Sequence, residues 1–304
     1  MYTRLLIPLD GSKTAEAVLP YGRTLAQSLE IPVEFLGVVD TSILDNRVFG
    51  GSEDSETIIA TSIRSSEEYL NRIAKTFPAD NVRFSVETGK PEDIIIEKAR
   101  SDATLTAMAT HGRSGINRLL MGSVAEKVLR SATNPLILIR ANEEANSEGL
   151  GALKSVVVPL DGSELAETVL SPVVQLANAL KLEVILLRAY EVPMNTYAGM
   201  EDSYPVDYKK ITLALKDEAQ TYLEGKVAAL KRNGIEKLSF AISEGSGASE
   251  IVALGRRTPD NLIAMCTHGR SGIKRWVLGS VTEKVVRLCA DPVLIVRAGE
   301  CVEG

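Results

Sequence analysis

Short apolar runs alternate with longer mixed stretches along the whole chain, the pattern of βαβ units around a parallel sheet. In the N-terminal half the apolar runs predict strands at Leu5–Leu9, Val33–Val39, Val82–Thr88, Thr104–Ala109 and Leu136–Arg140. The stretches between them predict helices at Lys13–Leu29, Glu56–Lys75, Pro91–Arg100 and Ser123–Ser131. The C-terminal half repeats the same order. Crossovers between parallel strands are right-handed. The simplest fit for each half is therefore an α/β, doubly wound, Rossmann-like parallel sheet with strand order 3-2-1-4-5.

The two halves are copies of one another. Leu6-Ile7-Pro8-Leu9-Asp10-Gly11-Ser12 returns as Val157-Val158-Pro159-Leu160-Asp161-Gly162-Ser163. Thr110-His111-Gly112-Arg113-Ser114-Gly115-Ile116 returns as Thr267-His268-Gly269-Arg270-Ser271-Gly272-Ile273, and Asn134-Pro135 returns as Asp291-Pro292. The second copy is six residues longer between the first two motifs, and the segment Met194 to Tyr208, set against Thr41 to Thr57, is where that difference is expected. Domains are expected at residues 1–141 and 154–299, with a polar, glycine-containing linker at 142–153.

In open α/β sheets ligands bind at the carboxyl ends of the strands, where the strand order reverses. That places Asp10, at the end of the first strand, and the Gly112 loop, after the fourth, on one crevice. Glycines at 112, 115 and 122 let backbone amides approach an anion. Ser123 opens a helix, whose N-terminal amides also favour negative charge. Ser123-Val124-Ala125-Glu126 and Ser280-Val281-Thr282-Glu283 match the capping box, so Ser123 and Ser280 are equally read as helix caps. Asp10 and Asp161 are read either as turn-shaping residues or as carboxylates that accept bonds from a ribose or base. His111 and His268 are read as loop anchors rather than general bases, and Cys266 and Cys289 as packed core residues.

Composition narrows the classes. Aromatics are only 5% of the chain, so its cores are built from aliphatic residues, as in parallel strands covered on both faces. A net charge of −6 argues against a broad nucleic-acid surface. No apolar run is long enough to span a membrane and no signal peptide is seen, so no membrane partner and a cytoplasmic location are expected. Three cysteines, all in the second half, with one histidine per copy supply neither a disulfide framework nor a metal site. Neither standard phosphate fingerprint, the P-loop or the dinucleotide glycine motif, occurs.

The motifs resemble the universal stress protein family. The family's nucleotide motif is Gly-x-x-Gly, nine residues, then Gly-Ser/Thr, and its latter part fits Gly112 succeeded by Gly122-Ser123, and Gly269 succeeded by Gly279-Ser280. The motif's first glycine is replaced by Ala109 in one copy and by Cys266 in the other. The bulkier cysteine predicts that the first copy binds ATP better. The resemblance implies an adenine nucleotide held by Asp10 and Asp161 on adenosine, with the backbone near Val38 and Ala189 on adenine. It implies phosphate contacts from Gly112, Arg113, Gly122, Ser123 and Val124, and from Gly269, Arg270, Gly279, Ser280 and Val281. ATP is the implied ligand, with AMP or ADP as alternatives and Mg accompanying ATP. Single-domain members pair through their last strands, so Leu136–Arg140 and Val293–Arg297 are expected side by side, forming an internal pseudo-dimer that could itself dimerise.

The function implied is that of a nucleotide-binding stress-response regulator with two related sites and protein partners that the sequence does not name. The alternatives are a slow ATPase or phosphoryl transferase and a nucleotide-free scaffold. No catalytic residue is assigned.

Overall fold

The computed structural model describes residues 2–41, 53–78, 81–100, 103–111, 121–140, 147–192, 207–267 and 278–297. The first repeat runs β1 (Arg4–Pro8), a 3₁₀ turn (Ala15–Val18), α1 (Leu19–Leu29), β2 (Val33–Val39), α2 (Glu53–Ala74), β3 (Val82–Thr88), α3 (Pro91–Lys98), β4 (Thr104–Ala109), α4 (Ser123–Ser131) and β5 (Leu136–Ile139). The second runs β6 (Ser155–Pro159), α5 (Glu164–Glu167), α6 (Leu170–Leu180), β7 (Glu183–Tyr190), α7 (Tyr208–Arg232), β8 (Leu238–Glu244), α8 (Gly247–Arg257), β9 (Asn261–Cys266), α9 (Ser280–Leu288) and β10 (Val293–Val296). The helix predicted over Lys13–Leu29 is two pieces. Proline has no amide hydrogen to give and fits only the first turn of a helix. With Pro20 in that position, α1 starts at Leu19 and the preceding residues wind as the 3₁₀ turn.

The described chain falls into two compact units. The first is built on Met1–Ala152 and takes in Pro292–Arg297, and the second is built on Leu153–Ile273 and Leu278–Asp291. In the first unit the strand order is β3-β2-β1-β4-β5, all parallel, as expected. In the second unit β8, β7, β6 and β9 lie in the same parallel order. The central strands are covered on both faces. Leu5, Leu6, Ile7 and Leu105 have no exposed surface, nor do Val157, Val158 and Ile263.

β10 comes from the second repeat but pairs with β5 inside the first unit, antiparallel, with Leu294 opposite Ile137. Val293 faces Leu138 and Ile295 faces Leu136, so Ile137 meets its own copy and the two flanking pairs are copies of each other. The strand pair has a local two-fold of its own, and it pairs strand edges that would otherwise be open to other chains.

Residues 147–151, expected to be linker, belong to the first unit and are held there by a residue the repeat does not share. Arg23, whose counterpart is Val174, donates to the carbonyls of Ser147 at 2.7 Å and Gly149 at 3.0 Å and lies over the Phe77 ring. Gly151 donates to the Pro20 carbonyl at 2.9 Å. A Cβ there would stand 2.6 Å from the Tyr21 ring, so only glycine allows this approach. No helix among the described residues is long and apolar enough to cross a membrane.

Candidate functional site

The turn after β1 is built the same way in both copies. Gly11 and Gly162 have φ of 81° and 86°, a region open to glycine at little cost. In the first copy the amide and hydroxyl of Ser12 donate to Asp10 Oδ1 at 2.9 and 2.6 Å, and Ser12 Oγ accepts from the Ala15 amide at 3.1 Å. In the second, Ser163 and Asp161 make the same bonds at 2.9 and 2.6 Å, and Ser163 Oγ accepts from Ala166 at 3.2 Å. Each aspartate thus shapes its turn through one oxygen while the serine caps the next helical turn of the chain.

The chain also leaves and re-enters the sheet alike at the fourth strand. The Gly122 amide donates to the Thr110 carbonyl at 2.9 Å, and the Gly279 amide to the Thr267 carbonyl at 2.9 Å. A Cβ on Gly122 would stand 3.2 Å from that carbonyl oxygen, so a larger residue would push the loop ends apart. The expected capping box is not formed. Gly122 and Gly279, both extended, are the N-caps, and Ser123 and Ser280 are the first helical residues. Glu126 and Glu283 turn instead to Arg130 and Arg287 one helical turn on, at 3.0 and 2.9 Å. The reason is the close approach, which only a glycine at the cap permits. The first amides of α4 are left to other partners. His111 Nδ1 lies 3.0 Å from Thr110 Oγ1, in keeping with an anchoring role.

In the first unit these two ends open on one cavity of about 730 Å³. Asp10, Val38, Ala109, Gly122, Ser123 and Val124 all line it. The sequence reading missed its far wall. That wall is formed by Gly37 and Asp40 of the β2 end and by α2, which presents Ser62, Ser65, Ser66 and Tyr69. Small hydroxyl residues on a helix carry no motif, so nothing marked them. Burial raises the Tyr69 hydroxyl pKa, and the neighbouring Glu16 and Asp10 carboxylates raise it further. It therefore stays protonated and donates to Glu16 at 3.1 Å. Gly112, Arg113, Gly269, Arg270 and His268 lie outside the described residues, as do residues 42–52 and 193–206 of the variable segments.

The second unit brings Asp161, Ala189 and Cys266 to the corresponding strand ends, and Gly279, Ser280 and Val281 to the start of α9. Two side chains differ. The Cys266 thiol is buried and accepts from the Thr168 hydroxyl at 3.4 Å, where the first copy has Ala109 and Ala17. Arg188 stands on β7 where β2 has Gly37, and it is 4% exposed. Its guanidinium lies 3.5 Å from the Leu160 carbonyl, 3.3 Å from Glu218 and 5.2 Å from the centre of the Tyr222 ring. A Cβ on Gly162 would be 2.6 Å from its Nη1. An arginine directly after the apolar run Val184-Ile185-Leu186-Leu187, within the same strand, was the available signal in the sequence.

The chain as a whole resembles known proteins. The universal stress protein family profile matches residues 1–140 and 152–297, and the chain belongs to that family as a tandem member. It is 22% identical over 303 residues to a universal stress protein of Mycobacterium bovis, covering 96% of each chain. It is 32% identical over 154 residues to one from Methanocaldococcus jannaschii, covering 50% of this chain and 85% of that one. The crystal structure of a universal stress protein from Archaeoglobus fulgidus superposes with a TM-score of 0.69 at 20% identity, covering 97% of this chain and 98% of the other, which shows the shared fold.

Proposed function

We propose that this chain is a stress-response regulator that binds an adenine nucleotide, ATP foremost, in the crevice of its first unit. The observation that carries the reading is the single cavity shared by the Asp10 turn, the end of β2 and the N-terminus of α4. About 730 Å³ lies within the ordinary range for a small-molecule site, roughly 300–1,000 Å³. The donor chemistry fits as well. Asp10 offers a carboxylate to ribose hydroxyls, and the backbone near Val38 offers hydrogen-bonding groups to a base. The α4 start, with Gly122, Ser123 and Val124, offers amides to phosphates. Gly112 and Arg113 complete that phosphate set in the proposal. A bound nucleotide would bias partner binding by favouring one arrangement of the groups around the cavity.

Calorimetric titration of the purified chain with ATP, ADP and AMP tests this. Binding is expected, with affinity at least about tenfold lower in Asp10→Ala, in line with loss of a charge-assisted hydrogen bond. No heat and no copurified nucleotide in native mass spectrometry would refute it.

A further inference from the structure

The two crevices share their turns and their helix starts, yet the space behind the turn is treated in opposite ways. In the first unit Gly37 contributes no side chain, and the space between β2 and α2 belongs to the cavity. In the second unit the side chain of Arg188 enters the corresponding space. Among its neighbours are Leu160, Gly162, Glu218 and Tyr222. Their counterparts, Leu9, Gly11, Ser65 and Tyr69, all line the first cavity. The two tyrosines fix this correspondence of the helices, because Tyr69 donates to Glu16 and Tyr222 donates to Glu167, its copy.

We infer that Arg188 fills the second crevice from within, so that this unit takes no adenosine and the chain binds one nucleotide rather than two. The inference rests on the nucleotide reading of the first crevice. The arginine is held from several sides. A buried guanidinium needs compensation for lost hydration, and here it has the Glu218 carboxylate, the Leu160 carbonyl and the face of Tyr222. Glu218 stands on the exposed rim with 62% of its side chain accessible, whereas the Arg188 side chain is 5% accessible. The head group therefore points into the protein and the carboxylate closes over it from the solvent side. An adenosine would have to expel a side chain that already has these contacts, on the same side of the crevice where Asp10 and Val38 face the open cavity.

The test counts sites on the full chain. Calorimetry with ATP is expected to give one site per chain in the unsubstituted protein and in Asp161→Ala, and two in Arg188→Gly/Glu218→Ser, which restores the first copy's residues. Hydrogen exchange on the unsubstituted protein, which needs no variant to fold, is expected to show ATP protecting Asp10–Ser12 and leaving Asp161–Ser163 unchanged. Two sites in the unsubstituted chain, protection of both turns, or one site in the double variant would overturn the inference while leaving the nucleotide reading intact. No site at all in the unsubstituted chain would overturn both.

Discussion

In the first unit the space behind the Asp10 turn is bounded by a glycine and a serine-rich helix. In the second the same turn closes on an arginine and a glutamate. The contacts that build the turns at the strand ends are common to both. The Asp-Gly-Ser turns match to within about a tenth of an ångström in each hydrogen bond. The Gly122 and Gly279 contacts are equal. Even the tyrosine-to-glutamate bond on the long helix recurs. The difference teaches that the copies agree where the chain contacts itself at the turns and differ in the side chains that face the crevice. A frame residue is constrained by neighbours in its own chain. A cavity-facing residue lacks such neighbours, so a copy that binds no ligand, as proposed for the second, would be free to fill the space.

The comparison can be broken first at its symmetric part. Ile137 and Leu294 face each other across the β5–β10 pair and are almost wholly buried. Ile137→Ala and Leu294→Ala should each lower stability by about 2–5 kcal/mol, and by similar amounts, in denaturant titrations. A large gap between them would show that the local two-fold is not an energetic one. The next test separates frame from ligand. Gly122→Val should lose about 1–3 kcal/mol by crowding the Thr110 carbonyl, and ATP binding with it. Gly279→Val should lose similar stability, read by thermal melting, while ATP binding in calorimetry stays unchanged. Loss of ATP binding in both would erase the proposed asymmetry.

The smallest expected effect concerns Cys289, which replaces Ala132 in the second copy. Burial pushes its thiol up to about 12, while the amide and carboxylate of Asp291 act in opposite directions. In an unfolded chain a thiol titrates at about 8.5. The buried protonated thiol therefore supports the fold fully below that pH, and the support is lost as pH rises towards 12. Melting curves taken across this alkaline range should fall less steeply for Cys289→Ala than for the unsubstituted chain. Parallel curves would show that the thiol is not the group that matters.

Much of the fold and part of the site were legible along the chain alone. The alternating runs placed the strands, and their predicted ends moved by no more than one residue. The repeated Asp-Gly-Ser and Gly-Ser motifs pointed to Asp10, Gly122 and Ser123, which do line the first cavity. Two local readings failed for one reason. Pro20 and Gly122 each impose a backbone condition stronger than the pattern around them. The proline set where α1 begins, and the glycine took the cap that the serine pattern had claimed. The α2 wall was unreadable because Ser62, Ser65 and Ser66 become a site only by facing β2.

The sequence by itself determined that the domain is duplicated, which fold each copy takes, where its turns lie and which family it belongs to. All of these rest on periodicity, glycine and proline chemistry and short motifs, which are local along the chain. The inequality at Ala109 and Cys266 was also legible, but only the tertiary structure decided that the copies differ in the space behind the Asp turn. Arg188 is far in sequence from both Gly162 and Glu218, and the effect of its charge depends on a space that exists only once β7, α7 and the Asp161 turn are packed together.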